Sequence, residues 1–315
     1  MISLCIDTLK LQPFWILCVF FLGFLSFFKN AISLSKWIYI SFLRQPKNFK
    51  KYGSWALITG STDGVGKSFA FQLAKKGLNL VLVSRNHQKL EEVRSEIQEK
   101  YPNVEIKNVA IDFSGDNIGD GLREMEEVIK ELDIGILINN VGVTYPGASY
   151  FHEVDRNIWM NLVKVNVRGT TLVTKAVLPG MLERKKGAIV NIGSGASIVV
   201  PSHPLYAIYA ATKAYVDQLS RCLYVEYKGR GIDVQCQVPL YVSTKMASKV
   251  ASIEKSSLFI PSADDYVKAA IGQIGCEARC TPFWTHSLQW WFASMLPEAV
   301  LDAWRLSIGI KRMAI

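Results

Sequence analysis

Residues suited to metal or thiol chemistry are scarce in this chain of 315 residues, which has four histidines and six cysteines. The histidines, at 87, 152, 203 and 286, fall at no metal-ligand spacing, and each reads as a surface or packing residue. The cysteines, at 5, 18, 222, 236, 276 and 280, form no paired framework, and Cys276 and Cys280 lack the CxxC spacing of a zinc or redox site. No metal is expected, and a reduced cytosolic domain fits. Acidic residues are missing between 29 and 51, where Lys29, Lys36, Arg44, Lys47, Lys50 and Lys51 stand alone. Those six carry most of the formal +9 and read as a collar drawn to anionic lipid headgroups, so no nucleic acid need be invoked. Internal repeats and low-complexity tracts are absent as well.

Charge is also missing from "LQPFWILCVFFLGFLSFF", residues 11 to 28. A run of roughly 18 apolar residues sits at the short end of what crosses ~30 Å of hydrocarbon as a helix. A cleaved signal peptide fits less well, because the run exceeds a usual apolar core and "SFFKNAIS" offers no small-residue cleavage pattern. The reading is a single-pass anchor. Before it stand Asp7 and Lys10, and after it the six basic residues, so the large C-terminal part is expected to face the cytosol.

From Trp55 onward short β-branched runs alternate with helical patterns, which predicts an α/β fold, a doubly wound parallel sheet of the Rossmann type. Strands are expected at 55–60, 78–85, 104–112, 134–140, 187–194 and 232–239, with helices near 65–76, 87–100, 117–131, 155–182 and 206–228. The Ser- and Lys-rich segment 240–265 follows the carboxyl end of a strand, where such folds bind ligands, and reads as a lid or as an ordinary surface connection. "FWTHSLQWWFASMLPEAV" is rich in aromatics yet short and interrupted by His, Gln and Ser, which suits an interfacial helix or a re-entrant contact. The expected division is therefore an anchor and basic linker over 1–50, the α/β domain with its lid over 51–282, and a membrane-associated segment over 283–315.

The first strand runs into "TGSTDGVGKSFAFQLAKKG", with glycines at 60, 64 and 66. A turn that brings its N–H groups up to a pyrophosphate needs glycine, and the helix that follows points its positive end at the phosphates. This predicts a dinucleotide site. An acid at the end of the second strand would bind the 2′-hydroxyl of NAD; here the chain has Ser84 and Arg85 and no carboxylate, which favours the 2′-phosphate of NADP. Asp112, at the third strand's end, suits the adenine amino group or caps the next helix. Asn139 and Asn140 satisfy backbone groups at the fourth strand's end, and Gly142 lets the chain pass beside the cofactor.

"YAATKAYVDQLS" places Tyr209 and Lys213 one turn apart on one helix face, with only small residues between them. Tyr206, Tyr215 and Tyr224 have no lysine four residues later. With TGxxxGxG at 59–66, NNxG at 139–142 and the serine of "NIGS", this pair resembles the short-chain dehydrogenase/reductases over roughly residues 52–240. "NNVGVTYPGASYFHEVD", "IVNIGSGAS" and "GIDVQCQVPLYVSTKMAS" are similar to the membrane-bound very-long-chain 3-oxoacyl-CoA reductases of fatty-acid elongation, the plant members especially, and to the related 17-beta-hydroxysteroid dehydrogenases.

The resemblance implies a catalytic set of Asn166, Ser194, Tyr209 and Lys213. Tyr209 would be the general acid, Ser194 would hydrogen-bond the substrate carbonyl, Lys213 would bind the nicotinamide ribose, and Asn166 would hold a water linking Lys213 to solvent. A neighbouring ammonium is expected to lower the tyrosine's pKa from ~10. In a long helix Asn166 would otherwise back-bond to a carbonyl and bend the axis. The expected contacts to NADP(H) are Gly60, Ser61, Thr62, Gly64, Val65, Gly66, Ser84, Arg85, Asp112, Asn140, Lys213 and Val242. The implied reaction is NADPH-dependent reduction of long-chain 3-oxoacyl-CoA at the endoplasmic reticulum membrane, with membrane lipid and other elongase subunits as partners. Lys245 and Lys249 are expected to meet the CoA phosphates. The alternatives are a hydroxysteroid dehydrogenase with the same residues and a catalytically silent subunit. Ser194 precedes Tyr209 by 15 positions, and Pro239-Leu240 replaces the family's usual Pro-Gly; both departures are similar to the elongase-type members. The ending "GIKRMAI" lacks the dilysine retrieval pattern of many relatives, so residence in the reticulum rests on the anchor and the resemblance.

Overall fold

The computed structural model describes residues 13–313. Asp7, Lys10, Cys5 and the first two positions of the apolar run lie outside the described residues, as do the chain's final two. The chain divides into two units, Met1–Gln45 and Pro46–Ile315.

In the first unit, helix α1 (Phe14–Ile38) passes into a π-helical turn, Tyr39–Leu43. These 30 residues have a mean hydropathy of 1.9 over their most apolar window and bury none of it, which is long and apolar enough to cross a membrane. The helix does not stop near residue 28 as the charge pattern suggests. No glycine or proline interrupts 29–45, so Lys29 and Lys36 ride on the helix itself and the linker begins only at Arg44.

The second unit is built on seven parallel strands in the order β3-β2-β1-β4-β5-β6-β7. They are β1 (Trp55–Thr59), β2 (Asn79–Ser84), β3 (Ile106–Ala110), β4 (Ile134–Asn139), β5 (Gly187–Ile192), β6 (Ile232–Gln237) and β7 (Arg279–Cys280). The crossovers are α2 (Gly64–Lys75), α3 (His87–Lys100), α4 (Gly119–Ile129), α5 (Arg156–Leu162) with α6 (Thr170–Arg184), and α7 (Ala207–Tyr227). Side-chain alternation sends Ala56, Ile58, Leu80 and Leu82 to one face, where they meet Phe69 and Leu73 of α2 and Leu90 and Ile97 of α3. Trp55, Leu57, Val81 and Val83 point to the other, against Met125 of α4 and Val173, Val177 and Met181 of α6. Burial on both faces explains why the strands read as continuous apolar runs. The sheet order reverses between β1 and β4, and such a switch point opens a crevice at the strands' carboxyl ends.

After β6 come α8 (Lys245–Ala251), α9 (Ala263–Ile271), α10 (Trp284–Ala293) and α11 (Glu298–Met313). The last two fold onto the same unit. On α10, buried His286 accepts from the Leu240 N–H through Nδ1 at 3.3 Å and faces the Tyr241 carbonyl through Nε2 at 3.2 Å. Desolvation lowers its pKa to about 4, so the neutral ring accepts on one side and donates on the other.

Candidate active site

The glycine turn follows β1 with left-handed backbone at Gly60 (φ +65°) and Gly64 (φ +50°), conformations that favour glycine. Asp63 caps α2 by accepting the Gly64 N–H at 2.8 Å. Gly66 sits so close to the turn that an added Cβ would lie 2.1 Å from the Gly60 carbonyl oxygen. The end of β4 clamps the turn from the other side. Asn140 Nδ2 donates to the Thr59 and Gly60 carbonyls at 3.1 Å each, while Thr59 Oγ1 accepts from the Asn140 and Val141 N–H groups. The turn, the N-terminus of α2 and the β4 end thus form a tightly packed glycine cradle, a backbone surface of the kind that receives a phosphate, which fits a dinucleotide.

A cavity of about 530 Å³ opens over this cradle, lined by Gly60, Gly64, Val65, Asn140, Lys213 and Val242 among the expected cofactor contacts. Six others lie outside its lining. Ser61 is buried with its hydroxyl toward the Val83 carbonyl, Thr62 and Ser84 share a hydrogen bond at 3.0 Å, and Arg85 is exposed just past β2. Asp112 accepts from both the N–H and the hydroxyl of Ser114, and this, aided by the charge of Arg85, holds its carboxyl below the usual range. Its hydrogen bonds close a local turn and cap no helix. Gly66 acts from beneath, through packing.

Tyr209, Lys213 and Ser194 all line the same cavity. Lys213 is buried and donates to the Ile192 carbonyl at 2.9 Å, and desolvation brings its pKa down to about 8. Burial raises the Tyr209 phenol and the Ser194 hydrogen bond partly offsets this. The expected lowering by Lys213 is therefore not what this arrangement gives: the ammonium is engaged at the end of β5, and the phenol holds its proton. Asn166 falls in a π-helical stretch, Val163–Gly169, between α5 and α6. Its Oδ1 accepts from the Val143 N–H at 2.8 Å, and its Nδ2 donates to the Val143 carbonyl and to Thr212 Oγ1. No bond is left for back-bonding within its own helix. Instead the wide turn delivers an asparagine that ties the β4 loop to the residue before Lys213.

Of the two lysines expected at the CoA phosphates, Lys245, at the start of α8, lines the cavity and pairs with Asp63 at 2.7 Å, while Lys249 does not line it. Other side chains in the cavity were not expected. The far wall holds Tyr241, Arg305 and Arg312 with His203 and Tyr206. Tyr206 is no relay tyrosine but packs its ring on Tyr145, 5.5 Å between centroids. Desolvation, then the charges of Arg305 and Arg312, lower the His203 pKa to about 3. An unfolded histidine titrates near ~6.5, so the folded state loses stability as pH falls from there toward 3. His203→Asn is expected to flatten that acid limb of a thermal-melt series while leaving the melt at pH 8 little changed. An unaltered acid limb would mean that His203 is solvated.

The short chain dehydrogenase family profile matches residues 54–255. A very-long-chain 3-oxoacyl-CoA reductase-like protein of Arabidopsis thaliana is 56% identical over 305 residues, 96% of this chain and 97% of that protein. The very-long-chain 3-oxoacyl-CoA reductase of Rattus norvegicus is 45% identical over 250 residues (79% and 77%). The inactive hydroxysteroid dehydrogenase-like protein 1 of Homo sapiens is 42% identical over 249 (79% and 74%). Among solved structures, a short-chain dehydrogenase from Sphingobium yanoikuyae in complex with NADPH superposes with a TM-score of 0.61 at 31% identity, covering 70% of this chain and 83% of that one.

Proposed function

Because the chain belongs to the short-chain dehydrogenase family, a family of oxidoreductases that use a nicotinamide cofactor, we propose that it reduces long- and very-long-chain 3-oxoacyl-CoA to 3-hydroxyacyl-CoA with NADPH. The observation that carries this is the convergence of Ser194, Tyr209 and Lys213 in the cavity that the glycine cradle floors. Bound NADPH supplies the hydride that goes to the keto carbon. Tyr209 donates the proton to the keto oxygen, for which its raised pKa keeps it loaded at neutral pH. Ser194 donates a hydrogen bond to the same oxygen. Lys213 binds the ribose and Asn166 holds the β4 loop and α7 at fixed separation. Arg85 and Ser84, at the end of β2 with no acid beside them, take the 2′-phosphate, as the NADPH of the solved relative supports.

The apolar helix α1 anchors the protein in the endoplasmic reticulum membrane with Pro46–Ile315 in the cytosol, a reading supported by Arg44, Lys47, Lys50 and Lys51 after the helix. Segment 240–265 acts as a lid, and 283–315 is the membrane-associated part: Trp291, Phe292, Met295, Leu296 and Trp304 are exposed there. Other elongase subunits are its partners.

The test is NADPH oxidation by the detergent-solubilised protein offered long-chain 3-oxoacyl-CoA beside 17-ketosteroids. Turnover of the thioester alone is expected; preference for the steroid would reverse the assignment. The likeness to a relative named as inactive favours a second reading, a silent subunit. Against it stands the intact set Asn166, Ser194, Tyr209 and Lys213, and NADPH binding without turnover of either substrate would establish it.

A further inference from the structure

Beyond the catalytic residues, the cavity's far wall carries two arginines from one face of α11. Arg305 is only 9% exposed. Its Nη2 lies 2.7 Å from a ring nitrogen of His203, and its Nε is buried with no hydrogen-bond partner. Arg312 donates to the Tyr241 hydroxyl at 2.9 Å and stacks over that ring, 5.5 Å from its centroid. None of these partners is a carboxylate. Asp63 is the one carboxylate among the cavity-lining residues, and it is held by Lys245 at the opposite end. Among the described residues the side-chain hydrogen bonds of Arg305 and Arg312 go to His203 and Tyr241 and not to an acid; Asp302, one turn before Arg305, accepts from Ser202 instead.

Removing a guanidinium from water is unfavourable unless an anion compensates it. Two of them at one end of the cavity, with the lining carboxylate Asp63 paired to Lys245 elsewhere, leave a positive field there, and the group that would compensate it is an anionic ligand. A steroid offers no such group, whereas an acyl-CoA carries phosphates at one end and an apolar chain at the other. The remaining wall, with Val199, Val200, Leu240, Met246 and Val250, is apolar and suits the chain.

We infer that Arg305 and Arg312 form an anion subsite at the substrate end of the cavity, which receives the phosphate-bearing carrier of the acyl thioester. This rests on the reductase reading for the identity of the carrier. A purely structural clamp between α11 and the 201–206 loop would need hydrogen bonds but no net charge. The two roles separate in the kinetics.

The full chain in detergent would be compared as wild type, Arg312→Gln, Arg312→Lys and Arg305→Gln, each first checked for NADPH binding by fluorescence. KM would be measured for a long-chain 3-oxoacyl-CoA and for the matching 3-oxoacyl N-acetylcysteamine thioester, which lacks phosphate. Loss of a charged hydrogen bond predicts a rise on the order of ten- to a hundred-fold in KM for the CoA substrate. KM for the short thioester should stay within about two-fold, Arg312→Lys should recover part of the loss, and salt should weaken the wild-type preference for CoA. Equal changes for both thioesters, or none, would overturn the subsite. Arg312 is only half-buried, so its variants decide the matter even where Arg305→Gln fails to fold. Free CoA binding, followed by titration calorimetry, reads the subsite without turnover. A wild type that binds CoA, with Arg312→Gln losing it, sustains the subsite even where no thioester is reduced and the reductase reading falls.

Discussion

Tyr209→Phe is expected to lower kcat by about a thousand-fold, the size of a lost general acid, while the NADPH dissociation constant stays unchanged. The substitution removes one hydroxyl and keeps the ring, so the small-residue surroundings of α7 and the Lys213 bond to the Ile192 carbonyl are left as they are. Ser194 loses its partner but retains the Ala196 N–H at 3.2 Å. Single-turnover fluorescence of bound NADPH isolates the chemical step from binding. Because burial raises the Tyr209 pKa, the wild-type reduction rate should hold through neutral pH and fall only on the alkaline side, as the phenol loses its proton. Retention of a tenth or more of the wild-type rate in the variant would mean that a different proton donor operates. Tyr241 is then the group to test, since its charge is already felt at Tyr209.

Gly66→Ala has the larger structural effect. The new methyl would lie 2.1 Å from the Gly60 carbonyl oxygen and 2.4 Å from Asn140 Nδ2, and neither neighbour is a flexible side-chain end that can move aside at little cost. Relief requires α2 to rise from β1 and the two Asn140 bonds to the turn to lengthen. Overpacking costs about 1–3 kcal/mol and each strained hydrogen bond about 1 more. At about 2–4 °C per kcal/mol the melting temperature should drop by roughly 6–20 °C, and NADPH affinity should fall by about ten- to a hundred-fold. Gly229→Ala is the control, because nothing lies within 4 Å of its added Cβ. A Gly66→Ala protein with native melting and native NADPH affinity would show that the cradle is slacker than its contacts imply.

The cradle and the Tyr209–Lys213 pair were legible in the sequence because their physics is local. Positive φ demands glycine, an i to i+4 pair shares a helix face, and a strand buried on both sides reads as an apolar run. Where partners come from distant segments the sequence is mute. β7 has two residues, paired only with Cys236 and Gln237, too few to display any period. The π-helical stretch around Asn166 has the composition of ordinary helix, and what singles it out is the remote pair Val143 and Thr212. The apolar run 11–28 is shorter than α1 for another reason: lysine inside a long apolar helix looks like a boundary when charge is the only guide. For the arginines a signal did exist. Leu301, Arg305 and Gly309 form the buried stripe of α11, with Arg312 one turn on, and a guanidinium in a stripe meant for leucine marks a group with a task.

The position of α11 in chain order also has a bearing on biosynthesis. Synthesis runs at about 5–20 residues per second and structure forms from the N-terminal side, so all seven strands and the glycine cradle are available to fold before Trp304, Arg305 and Arg312 are translated. A premature stop codon between 281 and 297 therefore spares the sheet and deletes one wall of the cavity. Such an allele would keep the codons of Tyr209 and Lys213 and lose those of Trp304, Arg305 and Arg312, so its lesion would fall on the far wall of the cavity.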